Sequence, residues 1–242
     1  MSWSLADLYE AVADNQRGDM DLPLWLALAT NATRILELGA GTARVLRALL
    51  AEGHDAWGID IDEERIALGR RRLSEAGLDP LRLLSADARS WSAPRPFDLV
   101  IAPYNLMGLL DDDAAFEVLT KTLANASSAA LLSLEAQVWP ITPDPGRAWH
   151  HGRTDVEVGG EPASYRERVV EKPGGVLQIG RRFRLPDGSE RQTMLSIRVR
   201  PVDALVELLA RTGWMLAAPI VDEEGRPPND DSKVVYLTAC RS

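Results

Sequence analysis

Glu37, Gly39, Gly41 and Asp60 are of types, and at spacings, that can hold a nucleoside. The run Ile35-Leu-Glu-Leu-Gly-Ala-Gly-Thr-Ala-Arg44 reads as a buried strand to Leu38, a glycine turn, and a helix opening near Thr42. A carboxylate inside an Ile/Leu strand is costly unless something pairs with it. Gly39 permits a tight turn, and Gly41 lets a ligand approach the main chain closely. About twenty residues on, Gly58-Ile-Asp60-Ile-Asp62 ends a second apolar run in acid, where a carboxylate can accept from both hydroxyls of a ribose. A nucleoside site at the C-terminal edge of a parallel sheet follows. A dinucleotide does not suit it. The third glycine is missing, Glu37 stands where such folds place an apolar residue, and Thr42-Ala43-Arg44 crowds the helix start that a pyrophosphate would need.

The pattern Glu-x-Gly-x-Gly-x-Ala over 37–43 resembles motif I of the class I S-adenosylmethionine-dependent methyltransferases. The resemblance continues in order along the chain. Val45 to His54 looks like the first crossover helix, and Trp57-Gly-Ile-Asp60 like the ribose-binding strand end. Ser85-Ala-Asp87-Ala88-Arg89 looks like the loop whose acid meets the adenine amino group. Pro96-Phe-Asp-Leu-Val-Ile-Ala102-Pro103-Tyr104-Asn105 looks like motif IV. Arg17-Gly-Asp-Met-Asp21-Leu-Pro-Leu-Trp25 resembles the leading helix of bacterial small-molecule members. The resemblance implies S-adenosylmethionine as cofactor, with S-adenosylhomocysteine as product. It implies contacts from Tyr9, Arg17, Glu37, Gly39, Ala40, Gly41, Arg44, Asp60, Ile61, Asp87, Ala88, Ala102 and Pro103. The chain departs from the family in two places: Ala43 replaces the third glycine, and Ala124 to Ser128 replaces the usual Pro-Gly-Gly before the fifth strand.

Several of these residues also have structural uses. Asp62 suits a helix cap better than a ligand. Glu37 could pair with Arg17 or Arg44, Asp87 could serve a turn, and Tyr9 could be helix surface. Methyl transfer from a sulfonium is an in-line displacement in which the protein supplies approach geometry and charge. A base is needed only if the nucleophile carries a proton, so catalytic residues should be few. Tyr104 and Asn105 at the rim could orient an amine or hydroxyl. Adenine methyltransferases carry the amide first in this motif, and the order here differs, so their substrate is not carried over. His150 and His151, adjacent in a Pro/Trp-rich stretch, could supply a base. Glu135, at the expected end of the fifth strand, would point toward an acceptor. Arg198 and Arg200 flank Val199 and should share one strand face. No spacing suits a metal.

Composition narrows the partners. The net charge is −9 over 242 residues, and the only basic runs are short. This argues against nucleic acid, whose binders carry a basic footprint. One cysteine excludes an internal disulfide framework. The start carries no signal-peptide pattern, and no run approaches the roughly 20 apolar residues of a span. A cytoplasmic protein without membrane contact is expected, as monomer or homodimer.

The elements that must position these residues follow the hydrophobic period. Helices are expected at Leu5 to Asn15, Leu22 to Ala32, Thr42 to Glu52, Glu63 to Ala76, Ala114 to Ala124 and Pro201 to Thr212. Strands are expected at Arg34 to Leu38, Ala56 to Ile61, Leu81 to Ser85, Leu99 to Ala102, Ala129 to Glu135, Trp214 to Ile220 and Lys233 to Cys240. Val138 to Gly160 has no clean period and reads as a loop or lid. Tyr165 to Glu171, Val176 to Arg184 and Glu190 to Arg200, separated by turn signals, read as an antiparallel meander. The fold class is α/β: a Rossmann-like seven-stranded sheet with strand seven antiparallel, plus a meander inserted between strands five and six. The domains would be a helical segment at 1–33, a cofactor-binding core at 34–137 and 201–242, and an insertion at 138–200 that covers an acceptor or forms a dimer interface. The function implied is methyl transfer to nitrogen or oxygen of a small molecule, in natural-product biosynthesis. A peptide or protein methyltransferase and a non-catalytic S-adenosylmethionine-binding protein are the alternatives.

Overall fold

The computed structural model describes residues 3–16, 18–138, 153–229 and 232–242. In chain order the helices are α1 (Leu5–Gln16), α2 (Leu22–Ala29), α3 (Arg44–Ala51), α4 (Glu63–Glu75), α5 (Asp112–Asn125) and α6 (Val202–Arg211). The strands are β1 (Arg34–Leu38), β2 (Asp55–Asp60), β3 (Leu83–Ser85), β4 (Phe97–Ala102), β5 (Ala126–Gln137), β6 (Thr154–Val158), β7 (Glu161–Lys172), β8 (Val176–Arg184), β9 (Glu190–Arg198), β10 (Trp214–Leu216), β11 (Val221–Asp222) and β12 (Val234–Arg241). They form two compact units, one of residues 21–139 and 200–242, the other of residues 1–20 and 140–199.

The larger unit is a sheet of order β10-β12-β5-β4-β1-β2-β3, with β11 added on β12. β1 pairs in parallel with β2 and β4, and β4 with β5. β12 runs antiparallel to both β5 and β10, as expected for strand seven. Every residue of β1 is buried, because apolar clusters cover both faces. Leu36, Val100, Leu132 and Leu237 belong to one, and Ile35, Leu46, Leu49 and Ile101 to the other. This order brings the C-terminal ends of β1, β2, β3 and β4 to one edge, where the candidate residues lie.

Three local expectations change here. α3 opens at Arg44, two residues late, because Ala43 takes φ +66° and cannot extend the helix. α5 runs to Asn125 and β5 starts at Ala126, so no separate turn is needed where Pro-Gly-Gly was expected. The sixth strand stops at Leu216, and Val221–Asp222 pairs separately.

The smaller unit is a four-stranded antiparallel sheet, β6-β7-β8-β9. The meander was expected with three strands. β6 lies within the stretch read as a loop, and Gly159 and Gly160, both at positive φ, turn it into β7. α1 packs on this sheet through Leu8, Ala11 and Val12, against Val156, Val158, Tyr165 and Phe183. The last strand ends at Arg198, so Arg198 and Arg200 do not share a strand face.

Candidate functional site

The site starts with a buried carboxyl group. Glu37 is 3 % exposed, and its Oε2 has no hydrogen-bond partner. Burial pushes its pKa up to about 8, against the pull of Arg44. Burial thus favours the neutral acid, while Arg44 and a hydrogen bond from the Leu46 backbone favour the carboxylate. Two residues on, Gly39 (φ +66°) turns the chain, and a Cβ there would lie 2.9 Å from Leu106 Cδ1. Ala40 N–H donates to the Ile59 carbonyl at 3.0 Å, tying the loop to β2.

Asp60 completes that tie. It is 8 % exposed, and its Oδ2 accepts from Gly41 N–H at 2.7 Å. Its Oδ1 accepts from Asp62 N–H at 2.8 Å. The carboxylate is therefore fixed at the mouth of the loop, with a lone pair left on each oxygen. The Asp60 carbonyl also accepts from Ala86 N–H at 2.8 Å, which pins the segment after β3. Asp62 caps α4 by accepting from Glu64 and Arg65 N–H, the structural use its position suggested. Between the two acids, Ile61 is 67 % exposed, an apolar face at the sheet edge.

Asp87 lies farther along this edge. Its carboxylate takes the Arg89 guanidinium at 2.6 Å and the Arg89 backbone N–H at 2.9 Å. These bonds hold its pKa below the usual carboxylate range. Ala88 beside it is half-buried, and Ala102 and Pro103 are buried at the end of β4.

Beyond β4 the backbone is strained. Tyr104 (φ +56°) and Asn105 (φ +58°) are successive non-glycine residues in the left-handed region, costing roughly 1–2 kcal/mol at Tyr104 and less at Asn105, since asparagine visits that region readily. Side chains hold them there. Tyr104 N–H donates to Glu135 Oε2 at 3.0 Å, and Gln137 N–H donates to Asn105 Oδ1 at 3.2 Å. Gly108 makes room for the Asn105 amide, which a Cβ would meet at 2.4 Å. Glu135 sits two residues inside β5, not at its end, and is 2 % exposed. Arg200 donates to the carbonyls of Met107 and Leu110 and to Asp112. It fastens the same segment from behind.

The larger unit thus gathers Glu37, Gly39, Ala40, Gly41, Asp60, Ile61, Asp87, Ala88, Ala102, Pro103, Tyr104, Asn105 and Glu135 around its strand ends. Arg44 is also there, but its guanidinium forks onto Asp21 at 2.6 and 2.8 Å. Tyr9 belongs to α1 in the smaller unit. Arg17, His150 and His151 lie outside the described residues. Asp21, Gly69 and Arg89, not among the expected contacts, touch residues at this edge: Asp21 takes Arg44, Arg89 takes Asp87, and Gly69 lies against the glycine loop. Asp21 reads as the cap of α2, yet its side chain makes no capping bond. Gly69, inside α4, lies so close to the loop that a Cβ would be 2.9 Å from the Thr42 carbonyl carbon. Among the described residues no group of three His, Cys, Asp or Glu is placed to hold a metal, and no helix is long and apolar enough to cross a membrane.

Residues 35–126, the segment that builds this edge, match the family described as a methyltransferase domain. That match lies in the larger unit, and the fold of the chain is that of solved S-adenosylmethionine-dependent methyltransferases. Solved structures share the fold along the whole chain. A methyltransferase from Clostridium acetobutylicum superposes with TM-score 0.80 at 13% identity, over 99% of this chain and 100% of its own. DesVI of Streptomyces venezuelae gives 0.77 at 15%, over 100% of both chains. CalS10 of Micromonospora echinaspora, an amino pentose methyltransferase, gives 0.73 at 20%, over 100% and 98%. No curated protein sequence matches. The residues at this edge fit the chemistry of S-adenosylmethionine: an orphan carboxylate oxygen suits an ammonium, and a fixed carboxylate with spare lone pairs suits a ribose diol.

Proposed function

We propose that the chain transfers the methyl group of S-adenosylmethionine to a nitrogen or oxygen of a small-molecule acceptor of natural-product type. The observation that carries the cofactor reading is Glu37 Oε2, buried without a partner beside a glycine loop that Asp60 holds. When bound, the cofactor supplies an electrophilic methyl group on a sulfonium. Glu37 receives its ammonium, Asp60 its ribose hydroxyls, and Asp87 its adenine amino group. Ile61 and Ala88 flank the base, and Gly39, Ala40 and Gly41 leave backbone room for the methionine part.

The rim beyond β4 then orients the acceptor. Tyr104 and Asn105 are held in a conformation that two side-chain bonds and Arg200 maintain, which suits a group that must stand still. Glu135 receives the Tyr104 amide, so it positions the rim. Support for a small acceptor comes from neighbours matched over nearly all of both chains, among them CalS10 and KedS8, a sugar N-methyltransferase from Streptoalloteichus. An amine or hydroxyl on a sugar-like acceptor is the first class to test.

The test is two-stage. Calorimetric titration with S-adenosylhomocysteine should give micromolar binding. Transfer of labelled methyl to a panel of amino sugars, glycosides and peptides should then mark amino sugars or hydroxylated glycosides. Labelling of peptides alone would replace the acceptor class. Tight cofactor binding without transfer to any acceptor would favour a non-catalytic role.

A further inference from the structure

Asp21 and Arg44 each forgo their local use to reach one another. Asp21 precedes α2, where an acid normally caps the helix, but its side chain makes no such bond. Arg44 is the first residue of α3, the end of a helix that disfavours a cation. Instead the two form a fork: Nη1 to Oδ1 at 2.6 Å and Nη2 to Oδ2 at 2.8 Å. The Asp21 side chain is 0 % exposed and that of Arg44 16 %. Trp25 Nε1, fully buried, donates to Asp21 Oδ2 at 2.8 Å and fixes the carboxylate further. Nearby lies a second buried carboxylate, Glu37, whose Oε2 has no partner.

The geometry points to Asp21 as a positioning residue that holds Arg44 away from Glu37 and so keeps the Glu37 carboxylate open for the cofactor's ammonium. This rests on the cofactor reading above. A guanidinium released among buried groups seeks the nearest buried anion, since an unpaired buried charge is the costliest arrangement. With Asp21 neutral, the buried carboxyl that can ionise to receive it is Glu37, whose charged form Arg44 already favours. Pairing with Arg44 would satisfy Glu37 in the free protein and leave the ammonium a filled partner. The field around Glu37 is consistent with this: Arg44 favours its charged form and Asp21 opposes it. Asp21 would raise cofactor affinity without touching the cofactor.

The experiment titrates the full chain with S-adenosylhomocysteine, beginning with the unsubstituted protein. If that protein does not bind, the cofactor reading falls and this inference with it. If it binds, Asp21→Asn is measured next; the asparagine oxygen can still accept from Trp25. Binding should weaken about tenfold or more, 1.4 kcal/mol per decade. The double substitution Asp21→Asn with Arg44→Gln removes the rival cation and should return to within about threefold of the starting protein. A purely structural role for Asp21 predicts no such recovery. Unchanged binding in Asp21→Asn, or a double variant as weak as the single, overturns the inference. Should Asp21→Asn melt too low to titrate, the double variant decides alone. Recovery to about threefold supports the inference, and a loss of about tenfold or more overturns it.

Discussion

β1 buries two ionisable side chains, Arg34 at its start and Glu37 three positions on, and the protein surrounds them differently. Arg34 is surrounded. Asp55 lies 3.5 Å from Nη1, the guanidinium stands 4.8 Å over the Phe97 ring and 5.5 Å over Trp57, and Arg82 shares both Asp55 and the Trp57 ring. Its Nε and Nη1 make no hydrogen bond, and the π faces stand in for acceptors. Glu37 is just as buried, but its partners are fewer: a hydrogen bond from the Leu46 backbone and the field of Arg44. Its Oε2 lacks a partner, and Arg44 is engaged with Asp21. One strand therefore carries an ionisable group enclosed by charged and aromatic partners at one end and, at the other, one with an unpaired buried oxygen. Burial alone does not distinguish a structural ion from a binding ion; the inventory of partners does.

The largest effect should come from the enclosed end. Arg34→Ala empties the space between the Phe97 and Trp57 rings, although Arg82 and Trp57 Nε1 still hold Asp55, and urea unfolding should show a loss of about 3 kcal/mol. Cofactor affinity of the folded fraction should stay the same. A cofactor defect at full stability would break the contrast between the two ends. Glu37→Gln should behave the other way. Replacing the carboxylate by an amide should weaken S-adenosylhomocysteine by roughly 10- to 100-fold, the 1.5–3 kcal/mol of a hydrogen bond to a charged group. The folded pKa of Glu37 is raised from 4.5 to about 8, so the folded state binds more protons than the unfolded one between these values. Stability of the free protein should thus fall as pH rises through that window, with the full penalty above about 8. Glu37→Gln should remove that component of the slope. Near neutral pH, pairing with an ammonium should expel the Glu37 proton, which calorimetry in buffers of different ionisation enthalpy would detect. Identical pH slopes in both proteins would show that Glu37 is not the titrating group.

The contrast also explains what could be read in advance. Glu37 drew notice because a carboxylate in an apolar strand violates its surroundings, and Asp60 because an acid ends an apolar run; the structure finds both buried. The sheet order, with β12 antiparallel beside β5, followed from the βαβ rhythm and the family resemblance. Arg34 drew no notice, since an arginine opening a strand is ordinary; its partners come from Asp55, Trp57 and Phe97 on other strands. Asp21 was hidden for the same reason, with a local role available and a distant one taken. β6 escaped because a five-residue strand beside Gly159-Gly160 is too short to show a period. Tyr104 and Asn105 were singled out for their side chains, whereas their unusual property is backbone φ, which sequence does not display.

At the Glu37 end the frame is made of backbone more than side chains, and Gly69 tests that. A Cβ at Gly69 would lie 2.7 Å from Leu83 Cδ2, 2.9 Å from the Thr42 carbonyl carbon and 3.1 Å from the Gly41 oxygen. Gly69→Ala gains about 1 kcal/mol of helix propensity and must move the loop. Affinity for S-adenosylhomocysteine should fall by roughly three- to tenfold, with little change in thermal midpoint. A lowered midpoint with unchanged affinity would mean that α4 yields instead, and the loop would not be held through this contact.

The smallest effect concerns the loop's own strain. Ala43 occupies the position of the third motif glycine at φ +66°, where a residue with a Cβ is disfavoured by about 1–2 kcal/mol. Glycine would relieve that. It would also raise the entropy of the unfolded chain, costing about 0.4–1 kcal/mol, and remove a methyl that is only 1 % exposed, worth about 0.8 kcal/mol. The terms nearly cancel, which gives a physical reason for alanine at this position. Ala43→Gly should leave stability within about 0.5 kcal/mol, whereas Ala43→Val, β-branched in the same conformation, should lose more than the alanine penalty of about 1–2 kcal/mol. Urea midpoints of the two variants decide the matter. A clear gain in the glycine protein would mean that the Ala43 methyl packs on nothing of value, and that the loop beside Glu37 stores strain that the rest of the fold does not offset.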